Sequence, residues 1–217
     1  MLTEQARHPS LVDRVVEHVY EQIITGQLTR GQRLTEEQIA GEMGVSRTPV
    51  REAVRRLAEM GMVVIHPRAR LEVASPDEQE IREISALREE LEAMALRLAA
   101  ERISETDLKR LGELDRQCRE HAEAGERLAT FRADSLLHRT LAELAGNRYL
   151  SEALQRLDVK VQLCRAFGCV SMDKIRRDVA AHSKIVAALR RGDLPAAEAA
   201  MRKHICKATL TVEGDGR

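Results

Sequence analysis

Three stretches of this chain put metal-binding residue types where a helix would bury apolar side chains. In the first, Phe131, Asp134, His138 and Leu141 follow one another at spacings of 3, 4 and 3, so a carboxylate and an imidazole stand one turn apart on an otherwise apolar face. In the second, His182 is in phase with Val179, Ile185, Val186 and Leu189. In the third, His204 is in phase with Met201, Ile205 and Ala208. An unpaired polar group on such a face costs on the order of 1–3 kcal/mol, so all four need partners. One carboxylate and three imidazoles brought together can ligate a divalent ion. The plain alternative is that each is satisfied separately inside the core, and spacing alone leaves both open. Nitrogen-rich ligation favours zinc or nickel, with manganese compatible, over magnesium or calcium.

The elements that must position these residues read as helices. From residue 77 to 211 the chain is rich in Ala, Leu, Arg and Glu, with nothing strand-like. The periodicity predicts helices over Asp77–Arg102, Ser104–Ala124, Ala129–Ala145, Asn147–Phe167, Met172–Arg191 and Pro195–Thr211. Gly125, Gly146, Gly168 and Gly192 fall at or near the breaks. Ser75-Pro76-Asp77-Glu78 reads as a helix start, with Ser75 as N-cap, Pro76 at N1 and Glu78 closing a capping box. The domain boundary is placed there, giving 1–75 and 76–217.

The first 75 residues carry a different pattern. Residues 1–45 hold four arginines against seven acids, net −3, whereas residues 46–70 hold six arginines against two acids, net +4. Positive charge is thus concentrated in one short stretch, the footprint expected of a nucleic-acid contact. An amphipathic helix from Ser10 to Thr25 precedes a second that opens at Thr35. Thr35 and Gln38 have capping-box spacing there, and Leu34 and Ile39 are placed as a hydrophobic staple. After Gly44 a third helix, Arg47–Met60, buries Val50, Ala53, Val54, Leu57 and Met60, while Arg47, Thr48, Arg51, Glu52 and Arg55 lie opposite. Two helices around a tight turn, the second basic at its start, predict a helix-turn-helix able to enter the major groove. Met62–Ile65 and Leu71–Ala74 read as strands joined by the basic turn His66–Arg70, the wing of a winged helix, which includes Arg68. A helical hairpin with solvated arginines is the bland reading, and the combination of staple, turn, basic helix and basic wing is the more specific one.

Composition excludes other classes. The 217 residues are 43% hydrophobic, 32% charged and 2% aromatic, with 35 basic against 35 acidic side chains. Too few aromatics are present to stack single-stranded bases. No apolar run approaches the roughly 20 residues of a membrane span, and Met1–Ser10 lacks a signal pattern. Cys118, Cys164, Cys169 and Cys206 form no C-x-x-C, which suits reduced thiols in a cytoplasmic protein. A metalloenzyme is the rival class, but H-E-x-x-H, E-x-x-H, G-x-S-x-G, P-loop and G-x-G-x-x-G motifs are all missing.

The stretch LTEEQIAGEMGVSRTPVREAVRRLAEMGMV, Leu34 to Val63, resembles the signature of the GntR family of bacterial transcription regulators. The resemblance implies that Arg47, Thr48 and Arg51 contact bases or adjoining phosphates and that Arg55 contacts the backbone, and the basic charge of the wing adds Arg68 as a candidate DNA contact. Thr29-Arg30-Gly31 stands where that family usually has Pro-Gly, and Arg70-Leu71 where Gly-Ala is common. The stretches FRADSLLHRTLAELAGNRYL and DVAAHSKIVAALRRGDLPAAEAAMRKHI are similar to the FCD ligand-binding domain of the FadR branch. Metal-binding members of that branch use an Asp-x3-His pair and two later histidines, which matches Asp134, His138, His182 and His204. Four protein ligands leave an octahedral ion two positions suited to water or a small organic acid. Arg88, between Ile84 and Leu91 on the first bundle helix, is either an effector contact or paired to a structural partner such as Glu92 or Asp134.

The expectation is therefore a mainly α protein: an N-terminal winged helix-turn-helix followed by an all-α six-helix bundle, whose count favours the VanR-like subgroup. It would act as a homodimeric cytoplasmic repressor that reads palindromic operator DNA and answers to a carboxylate effector at a metal site. A regulator with a purely structural metal is the alternative.

Overall fold

The computed structural model describes residues 9–67, 70–167 and 171–209, and the chain separates into two compact units, Met1–Ser75 and Pro76–Arg217. Arg68 and Cys169 lie outside the described residues.

The first unit runs α1 (Leu11–Ile24), β1 (Arg33–Leu34), α2 (Glu36–Met43), α3 (Arg47–Glu59), β2 (Val63–His66) and β3 (Arg70–Val73). Ser10 and Asp13 close a reciprocal capping box on α1, and Thr35 and Gln38 close another on α2. Gly44 ends α2 with φ +64, a left-handed conformation that any side chain would strain, so the turn into α3 depends on glycine. Val15, Val19 and Ile23 of α1 are buried, as are Val50, Val54 and Leu57 of α3. Burying each such side chain contributes roughly 1.5–3 kcal/mol. A surface ion pair, Arg56 Nη1 to Asp13 Oδ1 at 2.7 Å, also links α3 to α1. The strands form an antiparallel sheet in the order β1-β3-β2. The strands of the wing start and end one residue from the expected limits, because His66 pairs with Arg70 across the ladder. Strand β1 was not legible: two residues carry no alternation, and the strand exists only because Arg33 and Leu34 meet Glu72 and Leu71.

The second unit consists of α4 (Glu78–Ala100), α5 (Glu105–Glu123), α6 (Arg127–Leu144), α7 (Arg148–Phe167), α8 (Met172–Val179), α9 (His182–Arg190) and α10 (Leu194–Thr209). Its core joins Leu96 of α4, Leu108 and Leu111 of α5, Leu137 and Leu141 of α6, Ile185 of α9, and Met201 and Ile205 of α10. Two expectations change. The α4 N-cap is Asp77, not Ser75, because its carboxylate takes the Glu80 amide at 2.8 Å and so starts the helix two residues later. The single helix expected over Met172–Arg191 is two, α8 and α9, separated at Ala180 and Ala181. Seven helical segments are therefore described in this unit instead of six, and helix count lends no support to the VanR-like subgroup.

The break in that helix coincides with a hydrogen bond from another helix. In a continuous α-helix the Asp178 carbonyl would accept from the amide of His182. Here it accepts from the Ala181 amide at 3.1 Å, a tightened turn, and from His204 Nδ1 at 3.2 Å. A third helix thus contributes a side chain to the interruption.

Candidate functional site

Asp134 and His138 stand on α6, His182 opens α9, and His204 lies on α10. All four side chains are buried, and one ligand atom from each lies within 4.8 Å of the others. The Nε2 atom of His204 is 3.2 Å from Nε2 of His138 and 3.2 Å from Nε2 of His182. Asp134 Oδ1 is 3.3 Å from His182 Nε2. Helices 66 residues apart in sequence meet here because the flanking apolar positions, Leu137, Leu141, Ile185, Met201 and Ile205, form one core.

The outer ring nitrogens decide what the inner ones present. The Nδ1 atom of His204 faces the Asp178 carbonyl, which can only accept, so Nδ1 carries the proton and Nε2 a lone pair. The Nδ1 atom of His138 faces Glu92 Oε1 at 2.9 Å, an electrostatic contact off the ideal hydrogen-bond line. The Nε2 atoms of His138 and His204 face each other at 3.2 Å, across which a proton or a cation can be shared. The Nδ1 atom of His182 is buried without a hydrogen-bond partner. This donor set fits a divalent metal ion, with Glu92 and the Asp178 carbonyl as the groups that orient two of its ligands.

Electrostatics favour the ligating forms. Burial holds His182 below its ordinary value, although the hydrogen bond it donates to the Asp134 carboxylate opposes it. Burial, then the neighbouring His182 and His138, push His204 well below the usual imidazole range. For Asp134, burial works upward, yet the Arg165 guanidinium, His182 and His138 outweigh it and hold the carboxyl well below 3.8. Glu92 is also lowered, because His138 and Arg88 overcome the effect of burial. The site thus consists of ionised carboxylates and, at His182 and His204, neutral imidazoles.

Arg88 is buried and its Nε bonds Glu92 Oε1 at 3.2 Å, so of the two structural partners considered it takes Glu92 and not Asp134. It also lines a cavity of about 170 Å³ beside His138, whose wall includes Glu92, Ser135, Leu154 and Asp158. Asp134 is taken instead by Arg165, which spacing did not single out. Arg165 lies four residues after Val161 on the buried face of α7, and its guanidinium stands 5.8 Å from the Phe131 ring centroid. The criterion that exposed the histidines, a polar residue on an apolar face, would have found it.

In the first unit, Arg47, Thr48, Arg51 and Arg55 are exposed on α3 while Val50, Ala53, Val54 and Leu57 are buried. Arg51 Nε rests 3.4 Å from Glu36 Oε2. Arg56, by contrast, is tied to Asp13. Arg68 falls between β2 and β3, outside the described residues. Of the thiols, Cys118, Cys164 and Cys206 are free. Among the described residues no helix is long and apolar enough to cross a membrane.

A helix-turn-helix with a three-stranded wing, followed by a helical bundle, defines a winged-helix DNA-binding protein. The pattern of bacterial regulatory proteins of the gntR family matches residues 11–73, and that of the FCD domain matches residues 83–206. The chain belongs to the gntR family and carries an FCD domain. It is 32% identical to a protein of Paenarthrobacter nicotinovorans named a probable D-xylose utilization operon transcriptional repressor, over 90% of this chain and 86% of that one. It is 28% identical to the transcriptional regulator McbR of Escherichia coli K12, over 88% of this chain and 87% of McbR. The solved McbR structure superposes with a TM-score of 0.77 at 25% identity, covering 91% of this chain and 94% of that one. A GntR-type protein from Rhodococcus sp. RHA1 shares the fold, with a TM-score of 0.79 at 23% identity over 95% and 99% of the two chains. The relatives are transcription regulators, and this chain is a regulator, not an enzyme.

Proposed function

We propose that this regulator is a cytoplasmic homodimeric repressor of a palindromic operator, and that a small organic acid releases it through a metal site in the FCD domain. The observation that carries the reading is the convergence of Asp134, His138, His182 and His204 on one buried point. These four side chains hold the ion, zinc or nickel by their nitrogen content and manganese as a third choice. Once bound, a divalent ion supplies a Lewis-acidic anchor for a carboxylate. Arg88, at the cavity wall, supplies the complementary cationic contact. The domain 1–75 reads DNA through Arg47, Thr48 and Arg51, with Arg55 and Arg68 on phosphates, and the domain 76–217 binds effector and joins the dimer. A two-fold dimer matches a two-fold site. A coupling of about 1–3 kcal/mol changes operator affinity 5- to 150-fold.

The test begins with the metal content of tag-free protein by elemental mass spectrometry. About one divalent ion per chain, lost in His182→Ala while the dimer persists in sedimentation, is the expected result. Absence of metal after incubation with zinc, nickel and manganese overturns the metal and effector reading and leaves DNA binding in place. A purely structural metal is recognised by a melting temperature that no organic acid raises, with or without the ion.

A further inference from the structure

The buried face of α5 carries a carboxylate among apolar residues. Asp115 stands with Leu111, Leu114 and Cys118 on that face and is 5% exposed. Its Oδ2 accepts the Ser183 hydroxyl of α9 at 2.8 Å and, from the surface side, Arg119 Nη2 at 3.3 Å. Its Oδ1 is buried with no hydrogen-bond partner. Half of the carboxylate is thus unsatisfied, which costs the fold, whereas an apolar side chain of similar size would carry no such cost. What the carboxylate does provide is a fixed point for Ser183. That residue directly follows His182 in the first turn of α9, a turn with Ala181 at its N-cap and no side-chain cap.

Resting on the metal-site reading above, we infer that Asp115 is a positioning residue for that site, acting through Ser183 on His182. The other ligands are placed differently. Asp134 and His138 lie well inside α6, where the helix's own hydrogen bonds fix the backbone on both sides. His204 lies within α10, and its Nδ1 is bonded to the Asp178 carbonyl. His182 opens its helix, where the first amides have no partner within the helix, and its Nδ1 is buried without a hydrogen bond. With no outer hydrogen bond on the ring, the aim of His182 depends on where the first turn of α9 sits. The Ser183–Asp115 bond sets that position against α5. A metal ligand has to be held within roughly 0.5 Å of its productive place, so a small shift of this turn weakens the site.

The experiment compares Ser183→Thr with Ser183→Val in the full chain, because the two new side chains share a shape and differ in the hydroxyl. Zinc affinity is read by competition with a chromophoric chelator, and melting temperature is taken with the metal removed. Ser183→Thr should keep the affinity, whereas Ser183→Val and Asp115→Leu should each lose about 10- to 100-fold. Combining Asp115→Leu with Ser183→Val should bring the metal-free melting temperature back toward that of the unmodified protein while zinc affinity stays low. An apolar pair repairs the core and not the placement of His182. Imidazole nitrogen NMR of the zinc form should show the change at His182 and not at His138 or His204. Equal zinc affinity in Ser183→Thr and Ser183→Val overturns the role of Asp115 and leaves the metal reading intact. A double variant whose zinc affinity recovers together with its melting temperature does the same. If the unmodified protein binds no zinc, both readings fall together.

Discussion

Glu92 Oε1 lies 2.9 Å from His138 Nδ1, on the ring nitrogen opposite the one that faces His204, and the same oxygen takes Arg88 Nε at 3.2 Å. One buried carboxylate thus contacts both the His138 imidazole of the four-residue cluster and the guanidinium at the cavity wall. The arrangement ties the two halves of the site together, because whatever moves Glu92 moves both.

Substituting Glu92 therefore acts at a distance from the ion. Glu92→Gln keeps the shape but removes the charge that faces His138 Nδ1. Metal affinity measured by competition with a chromophoric chelator should fall about 10- to 100-fold. Unchanged affinity would show that His138 is oriented without it.

Metal removal should cost stability in proportion to occupancy. An ion at 100 times its dissociation constant adds about 2.7 kcal/mol to the folded state. For a chain of this size that corresponds to roughly 5–10 °C in melting temperature. Calorimetry before and after chelation checks it, and His204→Ala should melt at one temperature in both conditions.

On the DNA side, the exposed arginines of α3 separate from the one that serves the fold. Arg47→Ala and Arg51→Ala should each lose about 1–3 kcal/mol of operator binding by fluorescence anisotropy. Arg56→Ala, whose side chain is engaged with Asp13, should bind DNA with smaller loss. Normal binding by both of the first two variants would show that α3 is not the reading helix.

The Asp13 carboxyl gives a signature in acid. Its hydrogen bonds to the Ser10 side chain, Arg56 and the Ser10 amide lower its pKa from 3.8 to about 2. The unfolded chain takes up the proton first as pH falls, so the contribution is complete above 3.8 and is lost as pH drops through about 2. Carboxyl carbon NMR should place the Asp13 midpoint near 2, and in Arg56→Ala nearer to 3.8.

Much of this protein was legible in residue order alone, because helices announce themselves locally. The stripe Val50, Val54 and Leu57 with Arg47 and Arg51 opposite, the capping pairs Ser10–Asp13 and Thr35–Gln38, and the four misplaced polar residues Asp134, His138, His182 and His204 are all set by spacing within a few turns. Each marks a face, and a face has to be buried or used. What spacing could not decide is which distant faces meet. That Arg165 and not Arg88 would take Asp134, that Glu92 would stand behind His138, and that Asp158 would enter the same cavity depend on the packing of α4, α6 and α7. The interruption at Ala180 is of the same kind: both alanines favour helix, and the break falls where the Asp178 carbonyl meets His204, 26 residues further along the chain. Local periodicity determined the elements and their polar anomalies, whereas hydrogen-bond partners drawn from separate helices are a property of the closed bundle.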